Sequence, residues 1–153
     1  MKKILSLCVL LAVLSSCEED VKFNTPAVQA LKDREKWKAD SYTATMGGDM
    51  SLTITAVKDF ETLTLHTDSF NPGVYDLGEG SENLAGYHFE ADGQIEDYTT
   101  DDSDGLGRLI ITETNVTAGY IVGTFAFTAV DSEGNEVSFT NGNFYRIPIT
   151  TAP

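Results

Sequence analysis

Three carboxylates lie within four residues in the segment 101–107. Asp101, Asp102 and Asp104 offer the hard oxygen ligands that calcium prefers, and a glycine follows them to turn the chain. The spacing departs from that of an EF-hand loop, because position twelve, where a bidentate glutamate belongs, would be Ile111. An ordinary acidic turn accounts for the same residues. The sequence therefore favours a solvated turn over a weak calcium site, and it predicts no other cofactor.

Histidine, a frequent residue in acid–base and metal chemistry, occurs only as His66 and His88. Strand alternation puts both side chains on the polar side of their segments. Surface histidines without a partner motif are more often inert than catalytic. Paired carboxylates could act on a glycoside, but 24 acidic residues make any one pair uninformative. The sequence therefore predicts a protein without enzymatic activity.

Aromatic side chains offer a different chemistry, because a ring gives a large contact area at a low entropic cost. A β domain of this size needs several large side chains inside, so Trp37, Tyr87 and Tyr145 are predicted to be buried. Phe70 lies in a turn, and Tyr98 lies beside the acidic segment. These two are the predicted exposed aromatics, and they are candidates for contacting a ligand.

Residues 1–16 have the three parts of an export signal: a basic start, an apolar core and small residues before a cleavage point. The core is too short for a membrane-spanning helix, which needs about 20 apolar residues. Leu14, Ser15 and Ser16 precede Cys17, a pattern that resembles the lipobox of bacterial lipoproteins. The alternative is an ordinary secretory signal beside an unrelated cysteine. The lipobox interpretation predicts cleavage before Cys17 and acylation of its thiol, which would anchor the chain to a membrane.

Residues 17–25 are polar and are predicted to form a tether. Glu18, Glu19 and Asp20 follow the cysteine directly, and this acidic cluster resembles the signal by which lipoproteins of Bacteroidota reach the outer face of the outer membrane. A solvated linker accounts equally well for the same residues. The predicted location is the outer membrane, and both its periplasmic face and the cell surface remain open.

Removal of residues 1–16 would leave 8 basic and 24 acidic residues, a net charge of −16. A chain this acidic repels phosphate backbones, so nucleic acid is excluded as a partner. Cys8 lies in the leader and Cys17 would carry lipid, so no disulfide and no cysteine for catalysis or metal binding would remain. The length predicts a single β domain over residues 26–153.

From Trp37 onward, β-branched and aromatic residues alternate with polar ones between clusters of Gly, Asn and Asp, which indicates strands. The predicted strands are 37–45, 50–57, 61–67, 73–77, 84–90, 94–100, 107–114, 120–130, 136–140 and 143–149. Turn sequences such as Asn141-Gly142 separate them and indicate antiparallel hairpins. Tyr42 and Ala44 are out of phase with Trp37, which predicts a bend or bulge in the first strand.

Period-two alternation also predicts which side chains face the core. The predicted inward residues are Leu63, Leu65, Tyr87, Phe89, Leu109, Ile111, Ile121, Phe125, Phe127, Val137 and Phe139. Residues 26–36 allow two interpretations. Thr25 could cap a helix that begins at Pro26, or the segment could form a strand.

Glycine and aromatic residues of a β fold recur in segments 26–30, 37–39, 73–78, 107–112, 123–129 and 140–144. Together these segments resemble a family of small Bacteroidota lipoproteins that is classed only as a domain of unknown function. The resemblance covers most of the mature chain, and it carries no known catalytic or binding residues. It implies an opening strand and turn before Trp37, so the helix becomes the second choice for residues 26–36.

Taken together, the patterns predict an all-β fold, an antiparallel meander that forms a β-sandwich or flattened barrel of eight to ten strands. The predicted function is a lipid-anchored, non-catalytic module of the cell envelope that binds a protein, a glycan or a small ligand. The first alternative is a lipocalin-like carrier that holds a small apolar ligand inside a closed barrel. The second alternative is a calcium-dependent adhesion module.

Overall fold

A computed structural model describes residue 25 and residues 27–153. The predicted leader with Leu14, Ser15 and Ser16, the lipidation site Cys17 and the acidic cluster of Glu18, Glu19 and Asp20 lie outside the described residues. The described residues form eleven strands and no helix. These are β1 (Ala27–Lys32), β2 (Glu35–Lys38), β3 (Ser41–Met46), β4 (Leu52–Lys58), β5 (Glu61–Thr67), β6 (Gly73–Gly78), β7 (Leu84–Ala91), β8 (Gln94–Thr99), β9 (Leu106–Asn115), β10 (Tyr120–Val130) and β11 (Glu136–Thr151).

The long hairpin of β10 and β11 organises the fold. β1 and then β2 extend the sheet beyond β11, and β9 and then β6 extend it beyond β10. This gives a larger layer in the order β2-β1-β11-β10-β9-β6. The smaller layer, β3-β4-β5-β7-β8, joins the hairpin at two places. Val130 of β10 pairs with Thr99 of β8, and the end of β11 runs parallel to β3. Seven strands therefore close into a ring. This confirms the predicted all-β sandwich or flattened barrel, but the described strands number eleven and not eight to ten, and the parallel pairing of β11 with β3 departs from the predicted antiparallel meander. No helix among the described residues is long and apolar enough to cross a membrane.

The opening segment is a strand and not a helix. β1 pairs with β2 from Gln29↔Lys38 to Lys32↔Glu35, and β1 also pairs with β11. Asp33 and Arg34 connect β1 to β2 with φ angles of 47° and 72°. Two successive left-handed residues give a tight turn whose twist suits a hairpin. The strand that the family resemblance implied is confirmed, and the helical alternative is wrong.

From Trp37 onward the chain is divided into strands differently from the prediction at two places, and the other strand ends agree within two residues. The predicted strand 37–45 is divided into β2 and β3 by Ala39 and Asp40, at the expected bend. The predicted strands 136–140 and 143–149 are one strand, because Asn141-Gly142 forms an irregularity within β11 and not a turn. Asn141 has a φ of 50° there, and a Cβ on Gly142 would come within 2.5 Å of the Phe125 ring. Glycine at this position lets β11 and β10 approach closely, so β11 continues through the irregularity instead of turning back.

The core lies between the two layers. Phe139 of β11 is its centre, with ring centroids 5.7 Å from Trp37, 5.6 Å from Tyr87 and 4.9 Å from Phe127. All the predicted inward residues are buried except Phe89, which packs at the margin of the core. Trp37 and Tyr87 are buried as predicted, whereas Tyr145 is only half-buried. The space between the layers is thus filled by large side chains.

Candidate functional site

The outward face of the larger layer carries three adjoining depressions. Inward residues such as Trp37 and Phe125 alternate with residues that point to solvent, so this face is built from every second position of β2, β1, β11, β10, β9 and β6. The depressions have volumes of about 470, 510 and 480 Å³. Asn141 lines both the first and the second, and Arg108 and Ala126 line both the second and the third. We name the three together the outer trough.

The lining of the outer trough changes along its length. The first depression includes amide, lysine and leucine side chains: Gln29, Leu31, Lys36, Lys38 and Asn141. The second includes a guanidinium group, an amide and small or apolar side chains: Arg108, Ile110, Thr124, Ala126 and Asn143. The third ends at Asp76 and at Leu106, whose side chain is 65% exposed. Six neighbouring strands set about 4.8 Å apart make this an open surface about 24 Å long.

Charge distinguishes the outer trough from the rest of the molecule. The chain carries 24 acidic residues against 10 basic ones, yet the single carboxylate among the lining residues is Asp76. Arg108 Nε donates to Asp76 Oδ1 at 2.9 Å, so this carboxylate is already paired. Lys36 and Lys38 form no ion pair with any described residue. The trough therefore presents two unpaired cations on a protein that is otherwise strongly acidic.

Asn143 adds an unsatisfied acceptor to the second depression. Its side-chain Oδ1 is buried and has no hydrogen-bond partner among the described residues. Gln29 and Thr124 are its cross-strand neighbours on β1 and β10. A buried polar atom without a partner costs free energy, and native proteins seldom keep one without a reason. Asn143 lines the second depression, so a rotation of its side chain would bring this acceptor to a molecule that occupies the trough.

The opposite side of the β1–β2 hairpin is closed by a polar cluster. Lys32 Nζ donates to Glu61 Oε1 at 2.7 Å and to the Tyr87 hydroxyl at 2.8 Å, and Trp37 Nε1 donates to Glu61 Oε2. Burial opposes the charge on Lys32, but these hydrogen bonds outweigh it and raise its pKa above 10.5. Burial raises the pKa of Tyr87 above 10.0. The cluster joins β1 and β2 to the smaller layer, so its role is structural.

The acidic segment 101–107, for which the sequence favours a solvated turn over a weak calcium site, forms an exposed turn between β8 and β9. Asp102 Oδ1 accepts from the Ser103 amide at 2.7 Å, and the Gly105 amide donates to the Asp102 carbonyl. Asp101 and Asp104 are exposed beside it. Within the described residues no group of three or more His, Cys, Asp or Glu side chains is arranged to hold a metal ion. The calcium site stays a prediction that the geometry does not favour.

Phe70 and Tyr98, the predicted exposed aromatics, are both half-buried and pack against the core. The rings of Tyr98 and Tyr87 have centroids 5.9 Å apart. Tyr98 also lines a polar groove of about 440 Å³ with Glu96, Asp97 and Asp131. A hydrogen bond from Asn135 holds the pKa of Asp131 below its ordinary value, so this groove keeps its negative charge. The two rings do not form a common platform, because Phe70 and Tyr98 do not contribute to the same depression.

Each histidine contacts a side chain on the neighbouring strand. Thr53 Oγ1 lies 3.0 Å from His66 Nδ1 on the neighbouring strand. His88 Nδ1 lies 2.6 Å from Asp97 Oδ1, and this hydrogen bond raises the pKa of His88 above 6.5. Both contacts are cross-strand pairs on a half-exposed sheet surface, where they support pairing. In the contacts of the described residues, the Thr53 hydroxyl meets His66 without a carboxylate to orient that ring, and His88 meets only the carboxylates of Asp97 and Glu90.

The fold and the trough define a small all-β domain whose candidate site is an open sheet face. Comparison with known families matches residues 24–148 to a family described as a domain of unknown function, DUF6252. The chain belongs to this family, which confirms the prediction of a domain-of-unknown-function family. Comparison with curated proteins and with solved structures gave no match.

Sequence reasoning missed the outer trough as a site. Lys36, Lys38 and Asn143 carry no signal as single residues, and Asn141 is predicted to lie in a turn. One signal was present: Lys36-Trp37-Lys38 alternates between charged and apolar side chains, which marks a strand with a cationic outer face. The shared depressions depend on pairings between distant segments, such as β1 with β11, and no local pattern specifies them.

Proposed function

We propose that this protein is a lipid-anchored, non-catalytic binding module of the cell envelope, one of the small lipoproteins of Bacteroidota. Leu14, Ser15, Ser16 and Cys17 support the anchor, because they match a lipobox behind an export signal. The outer trough supports the binding role. It is an open surface with unpaired cations and an unsatisfied acceptor, in a described domain whose other polar clusters are internally paired. The partner is a component of the envelope that reaches this face.

The anchor is tested by labelling cells with an alkyne analogue of palmitate and separating membranes from soluble proteins. The full chain should carry the label and sediment with membranes, whereas Cys17→Ser should lose the label and appear in the soluble fraction. Cys8→Ser is the matched control, since it removes a cysteine from the leader and should leave labelling intact. An unlabelled wild-type chain in the soluble fraction would refute the lipoprotein assignment.

The side of the outer membrane is a separate question. Glu18, Glu19 and Asp20 support display on the cell surface, because they directly follow the lipidated cysteine as in surface-exported lipoproteins. Protease added to intact cells should then degrade the wild-type domain. Replacement of the three acidic residues by alanine should protect the domain until the cells are lysed. Equal protection of both proteins on intact cells would instead indicate the periplasmic face.

A carrier of small apolar ligands is the less favoured function. Such a carrier needs an apolar cavity of roughly 300 Å³ or more between its sheets. Phe139, Phe127, Trp37 and Tyr87 pack against one another in that space, and the trough depressions open outward. A fluorescent fatty acid such as cis-parinaric acid should show no saturable binding to the purified chain. Saturable binding that resists high salt would favour the carrier.

A further inference from the structure

We propose that the outer trough binds an acidic glycan, an extended polysaccharide whose sugar units carry carboxylate groups. The proposal rests on the binding function above and names the chemical class of its ligand. Three independent properties of the trough lead to it: its length, its charge and its unsatisfied acceptor.

The length of the trough favours a polymer. The three depressions adjoin one another across six strands, and none of them is an enclosed pocket for a small molecule. The trough also runs across the strands and not along an edge. The main-chain groups of β1, β11, β10 and β9 are paired on both sides there. A peptide strand could add only at the edge strands β2 and β6, where it would lie beside the trough and not across it.

The charge of the trough favours an anion. Lys36 and Lys38 are two residues apart on β2, so their side chains point to the same face, beside Leu31 and Gln29. No carboxylate lines this depression. Elsewhere the surface is dominated by acidic residues, which repel an anionic polymer and leave the trough as the favourable approach.

The unsatisfied acceptor favours a ligand with hydroxyl groups. Asn143 Oδ1 needs a donor, and the hydroxyls of a sugar supply donors next to the carboxylate that the lysines select. A phosphodiester offers acceptors only, and the donors of a lipid headgroup lie on a separate part of the lipid, whereas a uronate ring carries its hydroxyl groups beside its carboxylate. Asn141 and Thr124, which line the same depression, can exchange further hydrogen bonds with hydroxyl groups. Cation and acceptor together thus distinguish an acidic glycan from a phospholipid surface.

The test measures binding of the full chain carrying Cys17→Ser to two polyuronates, polygalacturonate and alginate, at low salt. Dextran is the neutral control, poly-glutamate is the acidic peptide and phosphatidylglycerol vesicles are the lipid surface. We expect saturable binding to at least one polyuronate that disappears at about 1 M salt, where the Debye length falls to about 3 Å. Lys36→Gln with Lys38→Gln should weaken binding about tenfold, as expected for two exposed ion pairs.

Four further variants separate recognition from folding. Lys36→Arg with Lys38→Arg keeps both charges and should retain binding. Lys58→Gln removes a cation from the smaller layer and should have no effect, whereas Lys38→Gln alone should weaken binding several-fold. Asn143→Ala should weaken binding while leaving the free protein equally or more stable, because it removes an acceptor that has no partner without ligand.

Several outcomes would overturn the proposal. These are no saturable binding to either polyuronate, equal binding to dextran, stronger binding to poly-glutamate or to vesicles, or polyuronate binding that ignores the lysine and Asn143 variants. The anchor does not enter this experiment. A failure here therefore removes the glycan and leaves the lipoprotein assignment to the labelling test, and a failure of labelling leaves the glycan result intact.

Discussion

Lysine side chains on the two faces of the β1–β2 hairpin have different surroundings and different roles. On the inner face, Lys32 and Trp37 are held by Glu61, and the Trp37 ring packs edge-on against Phe139. On the outer face, Lys36 and Lys38 have no ion-pair partner among the described residues and border an open depression. A lysine that is paired across two layers stabilises a fold. An unpaired lysine beside an unsatisfied acceptor is available to a ligand.

The largest expected effect on stability comes from removing the Trp37 ring from the inner face of the hairpin. Trp37 is 2% exposed, and Trp37→Ala would leave a cavity beside Phe139 while removing the donor to Glu61. We expect the free energy of unfolding to fall by about 3–5 kcal/mol, measured by urea denaturation. Trp37→Phe keeps an aromatic ring and should cost clearly less. Equal losses for the two variants would mean that the lost hydrogen bond, and not the packing, dominates.

A smaller loss is expected when the inner cluster keeps its shape and loses its carboxylate. Glu61→Gln keeps a similar side-chain volume but replaces the half-buried carboxylate with a neutral amide. The amide is a weaker hydrogen-bond acceptor for Lys32 and Trp37. The cost should be about 1–3 kcal/mol in urea denaturation. Glu96→Gln, an equal change of charge on exposed β8, is the control and should change stability little. A similar loss for both variants would contradict a structural role for the cluster.

The inner cluster also predicts a loss of stability at alkaline pH. The folded state holds the protons of Lys32 and Tyr87 more tightly than the unfolded chain, because both pKa values are raised. Their contribution is complete below about pH 10 and is lost as the pH rises through the raised values. Urea denaturation from pH 9 upward should show a falling free energy of unfolding. Tyr87→Phe should flatten this decline, and an unchanged slope would refute the linkage.

The sequence was informative about the β fold because period-two alternation is local. Leu63 with Leu65 and Leu109 with Ile111 face inward as alternation predicts. The failure at Asn141-Gly142 has a tertiary cause: the same pair that suits a turn also suits a bulge, and the closeness of Gly142 to Phe125 on β10 decides between them. Opening strand β1 is also fixed by a distant partner, β11.

The candidate site was harder to predict for the same reason. Acidic and aromatic residues attract attention as chemical groups, yet Asp101, Asp102 and Asp104 form an exposed turn, while Phe70 and Tyr98 pack against the core. The outer trough depends on residues that are ordinary one at a time. Its properties arise only when β2, β1, β11, β10, β9 and β6 lie side by side.

The smallest expected effect gives the sharpest comparison of the two faces. Lys32→Gln and Lys36→Gln remove the same charge from the same hairpin, four residues apart, so any general effect of net charge cancels between them. Lys36→Gln breaks no hydrogen bond or ion pair among the described residues and should change the free energy of unfolding by no more than about 0.5 kcal/mol. Lys32→Gln leaves Glu61 without its ion pair and should be measurably less stable. Equal stabilities in urea denaturation would mean that the paired lysine contributes no more than the unpaired one. A difference in the expected direction would show that the inner face stabilises the fold. Residues of the outer face could then be substituted to suit a ligand without loss of stability.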